Sequence, residues 1–183
     1  MKYVFTNGKI LNGTKDMQVQ EGQVILVENE RITELLPAEE VGKRNLKASG
    51  YEEIDLQGKY ILPGLINMHV HLAGNGKPQK KQRDNEALVK KIMSNGLTKA
   101  IAYNMVCGFA KDELYSGVTT IRTVGGLGDF DTRLRDDIAA GKKPGPRILA
   151  ANEGISVPGG HMAGSVALSL IHISEPTRHA QIS

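Results

Sequence analysis

Apolar and polar positions alternate in short runs over the first sixty or so residues, and the spacing changes after Pro63-Gly64. Runs at residues 3–5, 9–11, 23–27, 31–35 and 51–56 have strand character, with Asn7-Gly8, Asn12-Gly13 and Gln57-Gly58 as turn pairs between them. They predict a small β unit over residues 1–60. Beyond it the pattern predicts a strand at 65–72, then a helix at 84–95 with Leu88, Val89, Ile92 and Met93 on one face and Gly96 as its stop. A second helix follows over 98–115, interrupted at Gly108. A strand at 118–124, a helix at 132–140 with Leu134 and Ile138 inward and Gly141 past its end, and a strand at 147–151 complete the series. Strands alternating with helices predict a parallel sheet with helices outside it, an α/β architecture. No repeat at solenoid spacing interrupts this order.

The strand at 65–72 is the most informative. A period of two puts Leu65, Asn67, His69 and His71 on one face and Ile66, Met68, Val70 and Leu72 on the other. The second face is wholly apolar and the first turns polar at its far end. A barrel strand has this character, because its outer face packs on helices while the carboxyl end of its inner face meets the active site. Two imidazoles two residues apart point the same way and can share one metal such as zinc through neutral ring nitrogens. His69 and His71 are therefore the candidate metal ligands.

Composition narrows the class without changing that picture. The chain has 183 residues, 40% of them hydrophobic and 23% charged, enough apolar content for a folded core. A net charge of +3 arises from 23 basic and 20 acidic residues that are mostly interleaved. The Lys-rich stretch at 77–83 has no aromatic company, so it reads as a solvated loop and no nucleic-acid partner is expected. Cys107 is the single cysteine, which excludes an intrachain disulfide and fits a reducing compartment. The turn at Asn7-Gly8 arrives before a signal-peptide core could form, and no run reaches membrane-spanning length. A cytoplasmic protein without membrane contact is the expectation.

The last residues stand apart. Residues 168–178 resemble the forward translation of a transposase adaptor used in sequencing-library preparation, and residues 179–183 continue in the frame of the flanking barcode and primer. Segments of this kind are set aside before fold reasoning. Without the tail three histidines remain, His69, His71 and His161, and each lies in a distinctive motif.

The segment Tyr60-Ile61-Leu62-Pro63-Gly64-Leu65-Ile66-Asn67-Met68-His69-Val70-His71-Leu72, preceded by Asp55-Leu56-Gln57-Gly58-Lys59, resembles the start of an amidohydrolase-superfamily enzyme. The resemblance implies the amino-terminal portion of a small β-sandwich at 1–60 and the first three strands of a (β/α)8 TIM barrel at 61–167, truncated there, with 168–183 outside the fold. It makes His69 and His71 ligands to the more buried metal. An acidic residue is usual in that family where Asn67 stands, a departure that touches local hydrogen bonding more than ligation. Gly117-Val118-Thr119-Thr120-Ile121-Arg122-Thr123-Val124-Gly125-Gly126, then Gly145-Pro146-Arg147-Ile148-Leu149 and Gly159-Gly160-His161, resemble the branch of Xaa-Pro dipeptidase-like and carboxypeptidase-like enzymes grouped with imidazolonepropionase. Thr123 stands where that branch commonly has Asp. Arg122 shares a face with Val118, Thr120 and Val124, so it is expected to point into the barrel, where satisfaction by a buried carboxylate is favoured over contact with substrate. The loop Ser156-Val157-Pro158-Gly159-Gly160-His161 follows the third strand on the face where barrel sites form. His161 is thus the candidate substrate-binding residue, or else it orders that loop.

By this resemblance the complete protein hydrolyses amide C–N bonds of dipeptides or N-acyl amino acids, using water activated by one or two divalent metal ions, zinc being the natural choice. In such enzymes the other ligands and the proton-carrying aspartate come from later strands, so no catalytic residue is assigned within this chain. The chain by itself is expected neither to catalyse nor to fold stably. Alternatives are a cyclic-amide hydrolase of the imidazolonepropionase type, a deaminase of the same superfamily, or a catalytically dead binding module. A small-molecule or dipeptide substrate and a homo-oligomeric full-length protein complete the expectations.

Overall fold

A computed structural model describes residues 1–74 and 85–154. His161, the Lys-rich stretch at 77–83 and the tail at 168–183 lie outside the described residues. The chain divides into two compact units, Met1–Pro63 and Gly64–Ser183.

In the first unit, strands β1 (Lys2–Thr6), β2 (Lys9–Ile10), β3 (Gln23–Glu28) and β4 (Arg31–Pro37) precede a single helical turn, α1 (Ala38–Val41). Strands β5 (Glu52–Asp55) and β6 (Tyr60–Ile61) come next. One sheet has the order β4-β3-β1-β5, with β1 antiparallel to β3 and parallel to β5, while β2 and β6 pair separately and in parallel. Strand β3 is central, and its run Val24-Ile25-Leu26 is buried on both faces. Asn29 and Glu30 link β3 to β4 with φ of 49° and 68°. Two consecutive left-handed residues give the turn whose twist matches that of a two-residue hairpin. Val4, Val24, Leu26, Leu36 and Leu46 form the core of the unit. The apolar runs foretold five of these strands. They did not foretell α1 or the two-residue β6, which exists through pairing with β2.

In the second unit, β7 (Leu65–Val70), α2 (Asn85–Met93), α3 (Gly96–Tyr115), β8 (Val118–Thr123), α4 (Phe130–Ala139) and β9 (Arg147–Leu149) alternate as the sequence predicts. The three strands form a parallel sheet of order β7-β8-β9. The architecture is mixed α/β, and no closed barrel forms among the described residues, where three strands leave both edges of the sheet free. Two helix expectations need correction. Gly96 does not stop a helix but begins α3, because Asn95 Oδ1 accepts the Thr98 amide at 2.9 Å and caps the new helix. Gly108 does not interrupt α3, whose buried face runs through Ala102, Tyr103, Val106, Cys107 and Ala110. That face and Phe130 and Leu134 of α4 pack on Val70, Leu72, Ile121 and Ile148 of the sheet. Leu134, Ile121 and Ala110 are 0% exposed. Tyr103 ties the helical layer together: its hydroxyl donates to Asp137 at 2.6 Å, its ring meets Phe130 edge to face, and the Arg133 guanidinium lies 4.0 Å above it. No described helix is long and apolar enough to cross a membrane.

Candidate metal centre

Strand β7 starts beside β8 because position 64 is glycine: a Cβ there would run into the Thr119 side chain. The amide of Leu65 donates to the Gly117 carbonyl at 2.9 Å, and two register shifts come after it. Between Leu65 and Ile66 the extra residue lies on β8, and between Asn67 and Val70 it lies on β7, so the shifts cancel. The second is a bulge that takes in Met68 and His69 and ends before His71, a device that re-aims side chains near functional sites. Asn67 helps to shape it, since its Oδ1 accepts the backbone N–H of His69 at 3.2 Å. The departure from an acidic residue at position 67 thus keeps a local hydrogen bond.

His69 and His71 are both exposed, and their rings meet edge to face with centroids 5.2 Å apart and planes at 72°. The structure therefore brings the two predicted ligands together. They differ in how they are held. Nδ1 of His71 lies 3.1 Å from the Gly125 carbonyl oxygen. A carbonyl can only accept, so Nδ1 is the protonated nitrogen, and in the neutral ring Nε2 then keeps its lone pair, the tautomer that a ligand imidazole needs. The apolar side chains of β7 and the residues after it are only partly covered. Val70 and Leu72 are buried, but Ile66 and Met68 are 64% and 52% exposed. Helices α3 and α4 pack on β8 and β9.

The Gly125 carbonyl is itself placed by a small network at the carboxyl ends of β8 and β9. Val124 N donates to Val70 O at 3.1 Å and Gly126 N to Asn152 O at 2.6 Å. Asn152 has φ of 60°, and its Oδ1 accepts both the amide and the hydroxyl of Thr132, at 3.0 and 2.8 Å. Thr123, which stands where Asp is common, is 0% exposed and accepts the Ala151 amide at 2.9 Å. Asp131 is 1% exposed, and both its carboxylate oxygens lie 2.7 Å from where a Cβ on Gly126 would sit. Its Oδ2 has no hydrogen-bond partner among the described residues. Burial pushes the Asp131 carboxyl above the usual carboxylate range, against hydrogen bonds from Thr123 and the Asn152 backbone. Neither Asn152 nor Asp131 was singled out from sequence. The Gly125-Gly126 doublet after β8 was the available signal that backbone there is closely approached.

Arg122 is exposed, on the face of β8 opposite Ile121 and Thr123. The buried carboxylate expected to satisfy it has no counterpart among the described ion pairs. His161 lies outside the described residues. No cluster of three or more His, Cys, Asp or Glu side chains suited to a metal occurs among the described residues. His69 and His71 thus supply two donors, and a tetrahedral zinc site needs more.

Comparison with known proteins supplies the wider setting. Residues 60–179 match the model of the Amidohydrolase family, a span that reaches into the tail set aside on sequence grounds. A dihydroorotase of Bacillus cytotoxicus is 35% identical over 86 residues, covering 44% of this chain and 17% of that protein. Among solved structures, a candidate prolidase from Bifidobacterium longum superposes with a TM-score of 0.64 at 30% identity, covering 92% of this chain and 34% of that one. A Xaa-Pro dipeptidase with methionine bound in its active site gives 0.65 at 27% identity, covering 92% and 38%. The chain thus spans a minor part of each relative. With its His-x-His strand and parallel βαβ order, it belongs to the amidohydrolase family.

Proposed function

We propose that this chain is the amino-terminal part of a metal-dependent hydrolase of amide C–N bonds, in which His69 and His71 hold a divalent ion, zinc in the first instance. The observation that carries the reading is the paired imidazoles, with Nδ1 of His71 engaged by a backbone carbonyl so that Nε2 is free to ligate. When bound, such an ion supplies Lewis acidity, making water nucleophilic near neutral pH and drawing electrons from a carbonyl. The chain's own contribution is to present two imidazoles side by side at the end of β7. The remaining donors, the proton-carrying aspartate and the closing strands of a (β/α)8 barrel belong to the reading frame that continues past Ala167. His161 serves the substrate in this reading, and the whole protein is a cytoplasmic homo-oligomer.

Dipeptides or N-acyl amino acids are the proposed substrates, supported by the likeness to prolidase and Xaa-Pro dipeptidase structures over most of the chain. The dihydroorotase relatives favour a second reading, hydrolysis of a cyclic amide. The test is to assay the uninterrupted protein, loaded with zinc, on Xaa-Pro dipeptides and on dihydroorotate, beside its His69→Ala variant. Turnover of dipeptides that His69→Ala abolishes is expected. Turnover of dihydroorotate alone would transfer the assignment to the second reading. Metal-free protein that is as active as the zinc-loaded form would end both.

A further inference from the structure

We propose that Asn152 is a positioning residue for His71, acting through Gly126 and Gly125 to hold the imidazole in its ligating tautomer and direction. This role rests on the metal reading of His69 and His71 and adds a residue far from β7 in sequence. Three elements meet at Asn152. Its backbone carbonyl accepts the Gly126 amide at 2.6 Å, and the preceding residue, Gly125, presents the carbonyl that engages His71 Nδ1 at 3.1 Å. Its side-chain oxygen accepts the amide and hydroxyl of Thr132 in the first turn of α4. The residue at the α4 N-cap position, Asp129, makes no side-chain cap bond, so Asn152 satisfies from outside an amide that the helix leaves open.

The backbone of Asn152 explains the choice of residue. A φ of 60° is sterically open to glycine and tolerated by asparagine, but glycine lacks the amide oxygen that locks the loop to α4. From below, the Asp131 carboxylate fills the space beside Gly126 that a side chain would take. The Gly125-Gly126 segment is therefore clamped between Asn152 and α4. Freed on the Asn152 side, it could turn its carbonyl away, and Nδ1 of His71 would lose the acceptor that fixes its proton.

Two readouts on the uninterrupted protein test this. In the metal-free protein, the imidazole ¹⁵N shifts of His71 report which nitrogen is protonated. The wild type should show Nδ1–H, Asn152→Gly a shift toward a tautomer mixture, and Asn152→Asp, which keeps the acceptor oxygen, the wild-type pattern. In chelator competition, Asn152→Gly should weaken zinc binding roughly tenfold to a hundredfold. The same change added to His71→Ala should weaken it no further, because the route through His71 is already gone. An Asn152→Gly protein with wild-type tautomer and affinity would overturn the proposal, as would an equal loss in the His71→Ala background. Should the glycine variant not fold, Thr132→Val removes one of the two donors to Asn152 Oδ1 and should move both readouts in the same direction by less. A wild-type protein that takes up no zinc would refute the metal reading alone, and the tautomer comparison would still decide the role of Asn152.

Discussion

The two faces of the β7-β8-β9 sheet are built to different ends. On the helix side, Ile121 and Leu134 are 0% exposed and Ile148 is 4%, packed among Tyr103, Val106, Ala110 and Phe130. On the other side, Arg122 and Leu149 are exposed, with the two histidines at the carboxyl end of the neighbouring strand. The first face holds the unit together through area removed from water. The second offers donors and charge that the described residues do not cover. The two faces therefore divide the labour: substitutions on the packed face should change stability and leave ligation alone, and substitutions at the open end should do the reverse.

Leu134→Ala should give the largest effect. Removing a fully buried leucine side chain is expected to cost about 2–5 kcal/mol in urea unfolding of the uninterrupted protein, through lost burial and the cavity left behind. Zinc bound per folded molecule should not change. His69→Ala is the converse. It should abolish or weaken zinc uptake by at least about tenfold in chelator competition, while the metal-free protein keeps its unfolding free energy within about 0.5 kcal/mol. If Leu134→Ala removes the metal at unchanged stability, or His69→Ala unfolds the metal-free protein, the division between the faces is wrong.

How legible the two faces were in sequence depends on their physics. Burial of Val70, Ile121 and Leu134 leaves a periodic apolar signature, so β7, β8, β9 and α4 could be placed within a few residues. The His-x-His pair was legible too, because side chains two apart on a strand-like segment come together, and they do so here at the end of β7 although a bulge takes in His69. Features set by tertiary neighbours were not legible. Ile66 and Met68 carry the apolar period of a packed strand, yet both are largely exposed. Asn152 and Asp131 act through one backbone carbonyl and one missing Cβ, neither of which leaves a periodic trace. Gly96 misled because a glycine just past an apolar run can close one helix or, behind a capping asparagine, open the next.

The same asparagine governs a smaller effect on the packed layer. Asn95 Oδ1 accepts the amide of Thr98, and Thr98 Oγ1 in turn donates to the Ile92 carbonyl at 2.6 Å, so one residue pair joins the end of α2 to the start of α3. Asn95→Ala should cost about 1 kcal/mol, and Asn95→Asp, which keeps the capping oxygen, much less. Equal losses in urea unfolding from both substitutions would mean that the cap does not hold α3 on the sheet.

The subtlest effect lies within α4, where two aspartates stand on opposite sides of the buried boundary. Asp137 is held below the usual carboxylate range, first by the Tyr103 hydroxyl, opposed next by burial, with smaller lowering effects from Lys142 and Arg133 nearby. A folded pKa below the unfolded one stabilises the fold above the unfolded value, and that contribution is lost as pH falls through the folded value. Asp131 is shifted the other way by burial, so its contribution is present below the unfolded pKa and lost as pH rises through the folded one. Urea midpoints measured from about pH 2 to pH 7 should therefore separate the two substitutions by sign. Relative to wild type, Asp137→Asn should lose stability at neutral pH and recover toward acid, with Tyr103→Phe erasing most of that pH dependence. Asp131→Asn should gain relative to wild type as pH rises. Two parallel profiles would mean that Asp131 is solvated as Asp137 is, and the packed face would then end before the first turn of α4.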